Sequence, residues 1–233
     1  MSVRVRKGVL LRNGQRGERA ARRTPPADAY IYFADPMRSL LCLHGSGGSA
    51  SEFSVLSAWA AKHQWKLEAI DAPSGTGKWW TYPPGQRSFT ASSYSGAEAS
   101  IEAVETALIA GSHVGVLGFS QGAMLAAIIG ARSALGEGPP VAAVVLCSGA
   151  TPKPFEPLLH RLRDTPSARP LPTLHTLCKA DPMNPAELGA EVASCFAASE
   201  TLWHDGGHAL PPPSHLDAVA EFLERAVPTS DET

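Results

Sequence analysis

From residue 39 onward the chain alternates two kinds of segment. Short, nearly unbroken apolar runs, with VAAVVLC at 141–147 the clearest, are separated by longer stretches in which apolar positions recur every three or four residues. A strand buried on both faces has no polar side to show, so it reads as a continuous apolar run rather than an alternation. The runs predict strands over 39–43, 66–70, 113–117, 141–147, 173–178 and 200–203. The 3.6-residue recurrence predicts helices over 51–62, 97–110, 121–135, 154–163, 185–198 and 214–226, the first opened by Ser49 and Glu52 at the spacing of a capping box. Strands alternating with helices in this way indicate an α/β fold, a mostly parallel sheet with helices on both faces. The span 72–94, rich in Gly, Pro, Ser, Trp and Tyr, fits neither period and reads as a long loop, a feature that in compact domains often carries function.

Length changes this picture little: 233 residues, 44% hydrophobic, suffice for one core, and one domain is expected over 38–228. Charge adds an exclusion. A formal net charge of −2 leaves no basic field for a phosphate backbone, so nucleic acid is not an expected partner. The exception is local: in 1–25, eight Arg and Lys are opposed only by Glu18. This basic leader reads as a disordered extension, with an organelle transit peptide as the alternative. No run approaches the ~20 apolar residues of a membrane span, so no stable membrane insertion is expected. Cys42, Cys147, Cys178 and Cys195 form no CxxC pair and have no histidine at ligand spacing. They read as buried structural thiols, which suggests a reducing, cytoplasmic location and no bound metal.

Chemistry enters with Gly118-Phe119-Ser120-Gln121-Gly122, which follows the apolar run VGVL and opens the run QGAMLAAIIGA. A nucleophilic serine must stand on a sharp strand-to-helix turn, and flanking glycines let the two backbones pass closely there. The turn also sets Ser120 at a helix N-terminus, where backbone N–H groups favour developing negative charge. His44-Gly45-Ser46-Gly47-Gly48 is a second strand-to-helix loop. Beside a nucleophile elbow it would supply one oxyanion N–H from Ser46, with Gln121 supplying the other. Alone it could cradle a phosphate, although it lacks the lysine of a P-loop.

A serine nucleophile needs a base, and the base an acid to fix its tautomer. Asp181 is the aspartate that directly follows a predicted strand, where a sheet's carboxyl end delivers side chains into a crevice. Asp164 and Asp217 read as solvated helix residues, and Asp205 shares the turn of the candidate base. For that base, His160 and His215 read as exposed and His175 as part of a strand. His204 and His208 both follow ETLW; the pair Gly206-Gly207 gives His208 the freedom to fold back over the sheet, while His204 is expected to bond within the loop. Trp79, Trp80 and Tyr82, in the 72–94 loop, are expected at the substrate entrance; packing is the other reading.

Together LCLHGSGGSASEF, IDAP, GFSQGAMLA, the aspartate after a late strand, and HDGGHALP resemble the FSH family of serine hydrolases, over nearly the whole chain beyond the leader. The resemblance implies an α/β-hydrolase fold, no cofactor, and hydrolysis of a small-molecule carboxylic ester or thioester by a Ser120, Asp181, His208 triad. GFSQG is also similar to the acyl-protein thioesterase and carboxylesterase group. The family usually has a bulky apolar residue after HG, where this chain has Ser46, and the short stretch after IDAP implies a small or open acyl pocket. A peptidase, or a non-catalytic ligand-binding module on the same fold, are the rival readings. Oligomeric state is not encoded in any of these features.

Overall fold

A computed structural model describes residues 38–227. The strands are β1 (Arg38–Leu43), β2 (Trp65–Ile70), β3 (Gly115–Phe119), β4 (Ala143–Cys147), β5 (Pro172–Leu177) and β6 (Ala198–Trp203). They form one six-stranded sheet in the order β2-β1-β3-β4-β5-β6, every neighbouring pair parallel. The basic leader, 1–25, lies outside the described residues.

Successive residues of a strand face opposite sides, and β1 uses both. Leu41 and Leu43 enter one core with Val116, Val144 and Leu146, while Leu40 and Cys42 enter the other with Leu117, Val145 and Cys147. The first core is roofed by α2 (Ala97–Gly111), α3 (Gln121–Ala134), α4 (Glu156–Arg163) and α5 (Ala186–Ser194). The second is roofed by α1 (Ser57–Lys62) and α6 (Leu216–Ala226). Every residue of α3 except Arg132 is buried, which is why QGAMLAAIIGA is apolar all round rather than striped.

The helix expected over 185–198 closes at Ser194, and Ala198 already opens β6. Two further expectations need correction. The helix over 51–62 is a 3-10 segment, Ala50–Leu56, followed by the short α1. Phe53 and Leu56, three apart, turn the same way into the core at three residues per turn. The capping box does not form: Ser49 makes no side-chain cap and its Oγ meets Ser51 Oγ at 2.8 Å, while Glu52 turns back to the loop after β1. The strand over 113–117 is displaced to Gly115–Phe119, since its pairing with β4 runs on until Phe119 stands beside Cys147.

The chain leaves β1 for one side of the sheet, reaches β2, then returns past β1 to β3. At such a reversal the loops after adjacent strands diverge and leave a crevice at their carboxyl ends. The loops bordering it follow β1 and β3, the HGSGG segment and the GFSQG elbow.

Candidate active site

Ser120 sits at φ 53°, ψ −114°, in the left-handed half of backbone space that a non-glycine residue rarely occupies. The turn is held there from both sides. Ser120 N–H donates to the Cys147 carbonyl at 2.9 Å, and the Ser120 carbonyl accepts Met124 N–H at 3.1 Å inside α3. The flanking glycines are required by contact: a Cβ at Gly118 would run into the Gly122 carbonyl, and one at Gly122 into the Leu43 carbonyl. Strand, helix and neighbouring strand therefore meet backbone to backbone around the serine.

His208 Nε2 lies 2.9 Å from Ser120 Oγ, and its Nδ1 lies 2.8 Å from Asp181 Oδ2. Asp181 stands beyond β5 with its side chain 3% exposed, and its second oxygen accepts the Met183 and Asn184 amides at 2.8 and 2.9 Å. A carboxylate with both oxygens engaged accepts from Nδ1–H, which leaves the Nε2 lone pair facing the serine hydroxyl. The histidine loop is braced as well. Ser148 Oγ donates to the Ala209 carbonyl at 2.9 Å, the Ser148 carbonyl accepts Asn184 Nδ2–H at 2.8 Å, and the Phe119 ring lies 5.2 Å from the His208 ring. Asn184 and Ser148 were not singled out in the sequence. Only the Asp181 turn had a signal, in DPMN, where an aspartate followed by free amides two and three residues on forms an Asx turn.

The loop after β1 packs against the elbow: a Cβ at Gly45 would stand 3.4 Å from Ser120 Cβ. Its amides are divided. Gly45 N–H donates to Glu52 Oε2 at 2.7 Å and Gly47 N–H to the Gly77 carbonyl at 2.6 Å. Between them Ser46 N–H makes no hydrogen bond to an acceptor among the described residues, and the same holds for Gln121 N–H at the start of α3. These are the amides expected to receive an oxyanion.

Of the three aromatic residues expected at an entrance, two fall elsewhere. Trp79 and Trp80 are 0% and 1% exposed, so they are core residues and do not line an entrance. Trp79 Nε1–H donates to the His44 carbonyl at 2.8 Å and Trp80 stacks on Tyr94 at 4.5 Å; a loop this long brings its own core. Tyr82 alone of the three stays open, at 37% exposure. His204 is buried, its Nδ1 accepting the Gly206 amide at 3.1 Å, which is a bond within the loop. Among the described residues no group of three or more His, Cys, Asp or Glu could hold a metal ion.

The fold recurs in solved proteins. The crystal structure of esterase PE8 superposes with a TM-score of 0.64 at 20% identity, covering 82% of this chain and 93% of that one. In sequence, the esterase OVCA2 of Mus musculus is 36% identical over 135 residues, 56% of this chain and 57% of the mouse protein. This chain thus matches little more than half the length of that relative. It matches 98% of OVCA2 from Danio rerio, at 31% identity over 227 residues and 82% of this chain. A profile of the family described as serine hydrolase (FSH1) matches residues 57–217, the stretch running from α1 through the elbow and the His208 loop into α6. By that match and the length of the zebrafish alignment, the chain belongs to the FSH1 family of serine hydrolases.

Proposed function

We propose that the chain hydrolyses a small carboxylic ester or thioester through an acyl-enzyme on Ser120. The observation that carries this reading is the continuous hydrogen-bond chain from Ser120 Oγ through His208 to a buried Asp181, built on a strained strand-to-helix turn. His208 Nε2 takes the hydroxyl proton as Oγ attacks the acyl carbon, and Asp181 holds the ring and offsets the imidazolium charge. The carbonyl oxygen becomes an oxyanion facing the Ser46 and Gln121 amides, each donor worth about 3 kcal/mol in the transition state. Collapse expels the alcohol or thiol, which takes the proton from His208. Water then attacks the acyl-enzyme by the same route and frees the acid.

Esters and thioesters share this chemistry, and the esterase names of the relatives favour a carbon ester as first substrate. No helix among the described residues is long and apolar enough to cross a membrane. The four cysteines are free, which supports a reducing compartment such as the cytoplasm.

The test compares wild type with Ser120→Ala on p-nitrophenyl esters of graded length and on acyl-CoA thioesters, alongside labelling with a fluorophosphonate probe. Turnover and labelling that disappear together in a folded variant support the proposal. Turnover retained in folded Ser120→Ala rejects it, and a wild type that binds acyl compounds but neither turns over nor labels is a binding module.

A further inference from the structure

The backbone amide of Gln121, next to Ser120 at the start of α3, meets no acceptor among the described residues, but its side chain is fully engaged. It is 2% exposed; its Oε1 accepts Trp79 N–H at 3.0 Å and its Nε2 donates to the Trp80 carbonyl at 3.0 Å. The carboxamide thus pairs with two peptide groups of the 71–96 loop as a neighbouring strand would. That loop in turn grips the segment after β1. Trp79 Nε1–H donates to the His44 carbonyl at 2.8 Å, the Gly77 carbonyl accepts Gly47 N–H at 2.6 Å, and His44 Nε2 accepts Ala72 N–H at 3.1 Å. A Cβ at Gly77 would stand 2.6 Å from the Gly48 carbonyl oxygen, so the two backbones touch with no side chain between them. Ser46 lies between His44 and Gly47, the two residues the loop holds directly.

We infer that the Gln121 side chain is a positioning residue that fixes the distance between the two oxyanion donors. One donor is its own backbone amide. The other, Ser46 N–H, is held by the path Gln121 side chain, Trp79, His44. A donor stabilises an oxyanion only when it already stands at hydrogen-bond distance from where the charge develops. A loop of glycines and one serine has little rigidity of its own; Glu52 holds its Gly45 amide, and the neighbouring loop holds His44 and Gly47 on either side of Ser46. Gln121 carries one donor on its backbone and, through its side chain, bonds the loop that grips the segment carrying the other, which gives that side chain a role that a generic helix-opening polar residue would not have. The inference rests on the reading that these amides receive the oxyanion.

Gln121→Met tests it, because the variant keeps the backbone amide and nearly the side-chain length while losing both loop bonds. Removing an oxyanion donor outright costs about 10²- to 10³-fold in kcat, and a displaced donor should cost less, about 10- to 100-fold. KM should stay within about twofold, and affinity for a trifluoromethyl ketone, whose adduct carries the oxyanion, should fall by the same factor as kcat/KM. Trp79→Phe keeps a buried ring, although a smaller one, and removes the Nε1–H bond to His44; it should show the same pattern, and it serves if Gln121→Met does not fold. In the double variant the losses should not multiply, since both break one path. Wild-type kcat in either folded variant, or a loss confined to KM, overturns the inference. Turnover surviving in Ser120→Ala overturns instead the serine mechanism beneath it.

Discussion

His204 and His208 lie four positions apart on one loop, yet their surroundings assign them different work. His208 meets Ser120 and Asp181 with its two nitrogens. His204 accepts a loop amide with Nδ1, and its buried Nε2 meets no hydrogen-bond partner among the described residues. Burial, with His215 nearby, lowers the pKa of His204, so it stays neutral and holds the Gly206 turn. His208→Ala should therefore lose about 10³-fold or more in kcat with little change in Tm. His204→Ala should lower Tm by several degrees, as a cavity and an orphaned amide do, with kcat reduced less than about tenfold. Steady-state rates and thermal melts of the two variants check this. His175, in β5, makes a different prediction. Desolvation pushes its pKa down to about 3, so over the range below about pH 6.5 the unfolded chain takes up a proton that the folded chain refuses. Stability present above pH 6.5 should then be lost as pH falls towards 3, by up to about 1.4 kcal/mol per pH unit from this group. Urea unfolding at stepped pH, in wild type and His175→Gln, should show a shallower slope in the variant.

At the scale of elements, the junction of β1, β3 and α3 is the least tolerant part of the fold. Gly122→Ala would drive a methyl into the Leu43 carbonyl, backbone against backbone, with no side chain free to yield. It should destabilise by more than about 3 kcal/mol, and denaturant midpoints measured beside a surface control such as Ile109→Ala should show it. Elements whose periods follow from burial were the legible ones. The runs around Leu41, Val116 and Val145 are apolar because both sheet faces are covered, and α3 is apolar all round because it lies beneath other helices. Less legible was whatever depends on where a side chain turns. Ser49 and Glu52 have the spacing of a cap, but Glu52 gains more by holding Gly45 N–H at the loop after β1, and spacing alone cannot rank the two partners. Trp79 and Trp80 sit in a segment with turn composition, and only the folded path puts both indoles inside the core. The order of serine, aspartate and histidine could be read because each follows a strand, and parallel strands bring their ends to one edge. The bonds that fix their angles, through Asn184 and Ser148, could not, since they join loops distant in sequence.

Across the whole molecule, the sulfur chemistry is sealed away from the serine chemistry. All four cysteines are free and buried, and burial pushes the Cys147 thiol up to about 12 and Cys42 higher still. A neutral thiol out of solvent is a poor nucleophile. Ellman's reagent should find negligible thiol in the native protein and four equivalents after denaturation, and iodoacetamide should leave esterase activity untouched. Fast alkylation with loss of activity would show that a cysteine is accessible. The 71–96 loop extends this closure to the reaction edge. It is fastened to the elbow through Gln121, to the segment after β1 through Trp79 and Gly77, and to the acid loop where Arg87 donates to the Met183 carbonyl at 3.0 Å. Lifting it would break each of these bonds, about 1 kcal/mol apiece, and bring two buried indoles into water. Such a segment is a fixed doorframe and not a hinged door: no loop has to lift before substrate reaches the serine, and turnover should show no dependence on solvent viscosity beyond that of diffusion itself.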